Sequence, residues 1–251
     1  MVASDVSSNY TLYSDFNSQN GGTGFGAWSI SNNDPAANDA GDFVNTAADG
    51  GFDIWENGAQ AGGAVTDTIA AIRPFSGALG SGQVLSFFDY LNAGSNTGNS
   101  GPGGGPGPGC SLGFSLEDSA GNALFTLAAH GGGGYTLTDA TQTNVAATGM
   151  GYNYQSIDNF SFLLNDAATG AYTLTVSGAA SETYTGFIST ATGGISQLAV
   201  FNTNGGYGSD LRFDNLSISN TPGVAPEPAS LGLLGIAAGA GLLRRRRSAL
   251  D

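Results

Sequence analysis

The chain has 251 residues, 42 of them glycine; 40 % are hydrophobic, 10 % are charged and the formal net charge is -14. That apolar content can fill a core, so global disorder is excluded, and the length suits one domain or a domain with a tail. A single cysteine, Cys110, and a single histidine, His130, exclude an internal disulfide, a thiolate metal cluster, a histidine-dependent triad and a multi-histidine zinc site.

The N-terminus, MVASDVSSNYTLYSDF, has no basic n-region and no apolar h-region, so it does not read as a signal peptide. Alternating apolar runs between Gly, Asn, Asp and Ser predict strands over 10–16, 25–30, 51–55, 68–75 and 83–91. Between the second and third of these, Asp34, Asp39, Asp42 and Asp49 fall in a Gly/Ala/Asn loop. Hard oxygen ligands on such loops suit calcium, so these four are candidate ligands, although their spacing matches no EF-hand or Gly-rich calcium repeat. Residues 92–110, NAGSNTGNSGPGGGPGPGC, lack apolar periodicity and read as a flexible surface loop. Two hairpins follow, over 110–130 with a turn at Ser119–Asn122, and over 160–178 with Gly170 where a turn needs positive φ. His130 ends the first hairpin, before the glycine run 131–134. Further strands are predicted over 134–139, 182–189, 195–202 and 210–219. In the last, Leu211, Phe213, Leu216 and Ile218 are core candidates, and the shift of alternation at Asp214-Asn215 predicts a bulge. Many short strands at this spacing predict an all-β fold, a two-sheet antiparallel sandwich of jelly-roll type.

Charge is divided unevenly. Residues 1–225 hold 18 acids against Arg73 and Arg212, a net -16, whereas the last 26 residues hold four arginines against Glu227 and Asp251, a net +2. A body this acidic repels phosphate backbones, so nucleic-acid binding is not expected. After residue 221 the chain reads PGVAPEPASLGLLGIAAGAGLLRRRRSALD. Residues 229–243 are apolar or small throughout, an expected helix short of the roughly twenty residues that span a bilayer core. The arginines behind it, Arg244, Arg245, Arg246 and Arg247, fit a cytoplasmic stop that leaves the acidic body outside. The expected organisation is a sandwich over 1–221 and a separate tail over 222–251.

Pro226-Glu227-Pro228, then the apolar run, then the arginine block, resembles the PEP-CTERM sorting signal of exopolysaccharide-producing Gram-negative bacteria. The resemblance covers about residues 224–248. It implies recognition of Pro226, Glu227 and Pro228 by an exosortase, cleavage near them, and retention of the tail in the inner membrane by the four arginines. It also implies export of the body to the cell surface or extracellular matrix, with a secretory leader upstream of Met1. The body is similar to the β-sandwich ectodomains that precede such tails, with DLRFDNLSIS as the closing strand.

A second resemblance concerns chemistry. In GFDIWENG, Asp53 and Glu56 have the D-x-x-E spacing of the E-x-D-x-x-E motif found in lectin-like β-sandwich glycosidases, including laminarinase relatives. In that family a bulge brings the acids together as nucleophile and general acid. Here Gly51 stands at the first acidic position, so no catalytic residue is assigned and the chain is not expected to be an enzyme. Strand parity puts residues 51, 53 and 55 on one face and 52, 54 and 56 on the other; the expected arrangement has Phe52 and Ile54 in the core, Asp53 and Glu56 solvated, and Trp55 opposite Phe52 as a candidate sugar-stacking residue. Glu117 and Asp118 read as a solvated turn pair. Three classes remain: a non-catalytic surface or matrix protein, a carbohydrate-binding module delivered the same way, and a glycan-cleaving enzyme. No cofactor is expected beyond the candidate calcium, and the expected partners are exosortase, the inner membrane and a polysaccharide.

Overall fold

A computed structural model describes residues 2–33, 40–45, 51–56, 68–93, 111–130, 134–147, 157–178, 181–204 and 209–221. The candidate ligands Asp34, Asp39 and Asp49, Cys110, and the whole tail with Pro226, Glu227, Pro228, Arg244–Arg247 and the expected helix lie outside them. Contacts divide the chain into Met1–Ser219 and Asn220–Asp251. No described helix is long and apolar enough to cross a membrane.

Fifteen strands are described: β1 (Ala3–Asp5), β2 (Ser29–Asn32), β3 (Ala40–Asn45), β4 (Gly51–Glu56), β5 (Thr68–Pro74), β6 (Gln83–Ala93), β7 (Ser111–Glu117), β8 (Ala123–His130), β9 (Tyr135–Thr138), β10 (Val145–Ala146), β11 (Ile157–Asp166), β12 (Ala171–Gly178), β13 (Glu182–Phe187), β14 (Gln197–Thr203) and β15 (Ser209–Asn220). They form two sheets, as the alternation predicts. One runs β13-β12-β11-β6-β15-β4-β3, with β1 added to β15; the other runs β10-β9-β8-β7-β14-β5-β2.

The period of two sorts side chains between core and exterior. Ile69, Ala71, Leu112, Phe114, Leu198 and Val200 fill the layer from one sheet; Ile54, Leu85, Phe87, Phe160, Phe162 and Leu211 fill it from the other. Edge-to-face rings join the layers: Phe87 meets Phe114 at 4.9 Å, and Phe125 meets Phe162 at 5.2 Å. Each buried phenylalanine contributes about 1.5–3 kcal/mol by area alone. The bulge expected in β15 is present: Asn215 takes φ 56, and Leu211, Phe213, Leu216 and Ile218 are all buried. The half-turn of parity lets β15 pair with β4 through Phe213 and with β1 from Leu216 onward.

Several local expectations fail, and of the strand expected over 25–30 only the end lies in β2 (Ser29–Asn32). Residues 10–16 form turns rather than a strand. Their alternation does not describe a sheet face, because Leu12 and Tyr13 stand exposed and Tyr13 takes φ 55. The expected loop holding Asp42 is instead strand β3 over residues 40–45. There the Asp42 carboxylate accepts the Phe16 and Asn17 amides at 2.8 and 3.1 Å, so it fastens the N-terminal segment to β3.

The turns carry specific chemistry. Glu117 and Asp118 are not the solvated pair expected. Asp118 is buried and accepts the Asn122 side-chain amide and the Asn122 and Ala120 backbone N–H groups, each at 2.9 Å, and these bonds, the side-chain one first, hold its carboxyl down at about pKa 2. Glu117 accepts Ser115 Oγ at 2.6 Å and Gln197 Nε2 at 2.7 Å. Gly170 takes φ +75 as expected, and a Cβ there would run into the Ile188 carbonyl oxygen. Gly170→Ala therefore meets both left-handed strain and a backbone clash. Its expected cost is about 2 kcal/mol or more, read as a lowered midpoint in denaturant. A midpoint within error of wild type would contradict this.

Candidate functional site

The residues that sequence alone singles out lie on β4. Phe52 and Ile54 are fully buried in the core, as parity requires. Asp53 and Glu56 are not solvated: both are 0 % exposed. Their three-residue separation sends them to opposite faces. The β3–β4 ladder pairs without interruption from Ala40↔Glu56 to Asn45↔Gly51, so no bulge brings the two acids together. Gly51 lies against β15, where an added Cβ would stand 2.9 Å from the Phe213 carbonyl oxygen. The position at which the glycosidase motif needs an acid therefore has no room for one without a backbone shift.

Asp53 sits on the outward face. Its Oδ2 accepts Arg212 Nε at 2.8 Å and Asn45 Nδ2 at 3.4 Å. Arg212 also reaches Asp210 at 3.6 Å. Asp53 Oδ1 has no hydrogen-bond partner among the described residues. Burial raises the Asp53 carboxyl to about pKa 7; the charge of Asp210 adds to the rise, and Arg212 opposes it. Sequence reasoning does not find Arg212, Asp210 or Asn45, because they reach Asp53 only through pairings of β15 and β3 with β4. The visible signal is the alternation in DLRF, which sets Asp210 and Arg212 opposite Leu211 and Phe213.

Trp55 pairs with Gly41 on β3 and Asp210 on β15. It is half-buried, and its indole lies over Gly41, where a Cβ would approach the ring at 2.9 Å. Glycine at 41 thus gives the ring its seat. Gly41→Ala should lift Trp55 into solvent and red-shift the tryptophan emission, since Trp28 is buried and serves as a constant background. An unchanged spectrum would show that the ring does not depend on that seat.

Three rows on the remaining half of this outward face carry no charge. Ser86, Ser161, Thr175 and Thr183 stand in one row across β6, β11, β12 and β13. Val84, Leu163, Thr173 and Thr185 form the next row, and Phe88, Asn159 and Ser177 a third. A sheet face with hydroxyls, amides and a few apolar groups, on a chain of net charge -14, offers hydrogen bonds without ion pairing. His130 ends β8 and meets Thr136 Oγ1 at 2.8 Å. No group of three or more His, Cys, Asp or Glu that could hold a metal ion occurs among the described residues.

Residues 224–247 match the family model for the PEP-CTERM protein-sorting motif. The motif implies an exosortase-targeted surface protein. No curated protein matches the chain. Among solved structures, the chain is similar to a sialidase at TM-score 0.49 and 14 % identity, covering 78 % of this chain but only 17 % of that one. It is similar to a GH131 β-glucanase catalytic domain from Podospora anserina at TM-score 0.45 and 14 % identity, covering 68 % of this chain and 72 % of that one. It is also similar to the carbohydrate recognition domain of Emp47p at TM-score 0.40 and 14 % identity, covering 86 % and 96 %.

Proposed function

We propose that this chain is a non-catalytic surface or extracellular-matrix protein, exported and then released from its sorting tail by an exosortase. The observation that carries the reading is the sorting motif at 224–247, in which a Pro-Glu-Pro element precedes an apolar run and four arginines. The motif supplies delivery. In this reading the apolar run and Arg244–Arg247 hold the tail in the inner membrane until cleavage at Pro226-Glu227-Pro228. Support for a body without catalysis comes from β4: no acid at Gly51, no space for one, and Asp53 and Glu56 on opposite faces. A retaining glycosidase needs two carboxyl groups about 5 Å apart across the substrate, and this strand does not present them.

Fractionation of an exosortase-bearing Gram-negative host tests the reading. The full chain is expected at the cell surface, and a chain with all four arginines replaced by alanine is expected to be lost from it. Equal surface recovery of the two would count against sorting by the tail. Purified body releasing reducing sugar from laminarin would count against the absence of catalysis.

A second reading, a carbohydrate-binding body, is favoured by the uncharged rows on the outward face together with Trp55 on its glycine seat. Neutral polysaccharides offer hydroxyls and C–H faces, which such a surface can meet with hydrogen bonds and apolar contact. Retention on an uncharged glucan column should fall when Thr175→Asp puts a charge in the central row, or when Trp55→Ala removes the ring. Retention that neither change affects would argue against this face.

A further inference from the structure

Asp89 on β6 and Asp158 on β11 are direct partners in the antiparallel ladder. Both point inward, in step with Leu85 and Phe87 on one strand and Phe160 and Phe162 on the other. They are 3 % and 2 % exposed. Side chains of directly opposed residues lie about 5 Å apart at Cβ. Asp89 Oδ1 has no hydrogen-bond partner among the described residues. Two carboxylates at this separation, removed from water, cannot both stay ionised.

Among the described residues, the groups facing the pair supply no positive charge. On β12, Gly178 opposes Asp158, and β12 carries no titratable side chain other than Tyr172. On β15, Asp210 and Arg212 are engaged with Asp53 on the outward face, and Asp214 binds Ser7. In the opposing sheet, β14 brings Asn202 to the same end of the core, and His130 at the end of β8 bonds Thr136. Arg73 belongs to the far end of β5, on Asp5. Glu56 is a further inward acid at the end of β4, beyond the intervening β15.

We propose that Asp89 and Asp158 bind one proton between them and act as a pH-operated clasp between β6 and β11. With one proton, an O–H of one carboxyl donates to the other carboxylate and the ladder is closed. When that proton leaves to solvent, two like charges face each other in the core and the end of the sandwich is driven open. Burial, and then the charge of Asp158, holds the Asp89 carboxyl well above the usual range, as the clasp requires. The sign follows: a group whose folded pKa is raised stabilises the fold at low pH, and that stability is lost as pH rises through the folded value.

Thermal unfolding of the full chain between about pH 5 and about pH 9 reads the effect. The melting temperature of wild type should fall with rising pH by roughly 4 °C or more beyond that of Asp89→Asn or Asp158→Asn. The double variant should be the flattest, because the one carboxyl left buried in either single variant is still raised by burial alone. Equal slopes in wild type and both single variants, or additive effects, would overturn the clasp. Infrared spectroscopy keeps the test independent of variant stability. Wild type at neutral pH should retain a protonated carboxylic-acid carbonyl band that persists in an Asp53→Asn background. Absence of that band there would overturn the proposal, as would its removal by calcium with a rise in melting temperature, since a metal and not a proton would then fill the site.

Discussion

Replacing Arg73 with alanine is expected to destabilise the body by about 3–5 kcal/mol. Arg73 is fully buried on β5, and its guanidinium holds the N-terminal segment together. Its Nη2 forms an ion pair with Asp5 at 2.6 Å and donates to Asn20 Oδ1 at 2.8 Å and Tyr10 Oη at 3.2 Å. Its Nη1 donates to the Gly26 carbonyl. The planar cation lies over the Trp28 ring at 4.9 Å. Asp5 also accepts the Tyr10 hydroxyl at 2.9 Å and the Trp28 indole N–H at 3.2 Å. Removal of the cation leaves the Asp5 carboxylate buried with two neutral donors and no counter-charge. Burial already raises the Asp5 carboxyl, against the pull of Arg73, so Arg73→Ala would push it further. Calorimetry should show a fall in melting temperature of roughly 10 °C. A paired Asp5→Leu/Arg73→Met variant should recover much of the loss, because apolar groups of similar size owe no desolvation. If Arg73→Ala melts within about 2 °C of wild type, the hub does not hold the N-terminal segment.

The second large effect is a pH dependence at Asp53. Its folded pKa of about 7 lies above the ordinary 3.8. A raised carboxyl is bound to its proton more tightly in the folded state. The corresponding stability is therefore fully present below the unfolded value and is lost as pH rises through about 7. At about 1.4 kcal/mol per unit, the swing is of order 4 kcal/mol at most. Asp53→Asn keeps the shape and cannot ionise, so its stability should vary less between about pH 4 and about pH 8. Urea titrations of both proteins at several pH values measure the difference. Parallel curves would mean that Arg212 already neutralises Asp53 throughout this range.

Much of the sandwich was legible because the signals are local. QVLSFFDYL, ALFTLAAH and AYTLTVSG alternate and are bounded by turn residues, and β6, β8 and β12 lie where they do. Gly170 and the Asp214-Asn215 bulge were readable for the same reason: a turn and a parity slip leave marks within a few residues. The failures are tertiary. Residues 10–16 alternate like a strand, yet their binding to Val44, through Tyr13 N to the Val44 carbonyl and Val44 N to the Ser14 carbonyl, holds them as turns. AGDFVN in β3 has only the adjacent Phe43-Val44 as bulky apolar residues, without alternation, so it does not announce itself, and it pairs with β4 where Trp55 lies over Gly41. The burial of Asp53 could not be read from β4 alone. It depends on Arg212, brought from 159 residues away. The tail is legible in sequence for a different reason: its order of Pro-Glu-Pro, apolar run and arginines is a linear message.

The mass of the mature chain shows whether the tail is a cleaved sorting signal. The full chain is expressed with its own tail in an exosortase-bearing Gram-negative host, and the protein recovered from the cell surface is weighed intact. The expected mature protein ends close to Pro226-Glu227-Pro228, with Arg244–Arg247 missing. Surface protein that retains the sequence through Asp251 would contradict it.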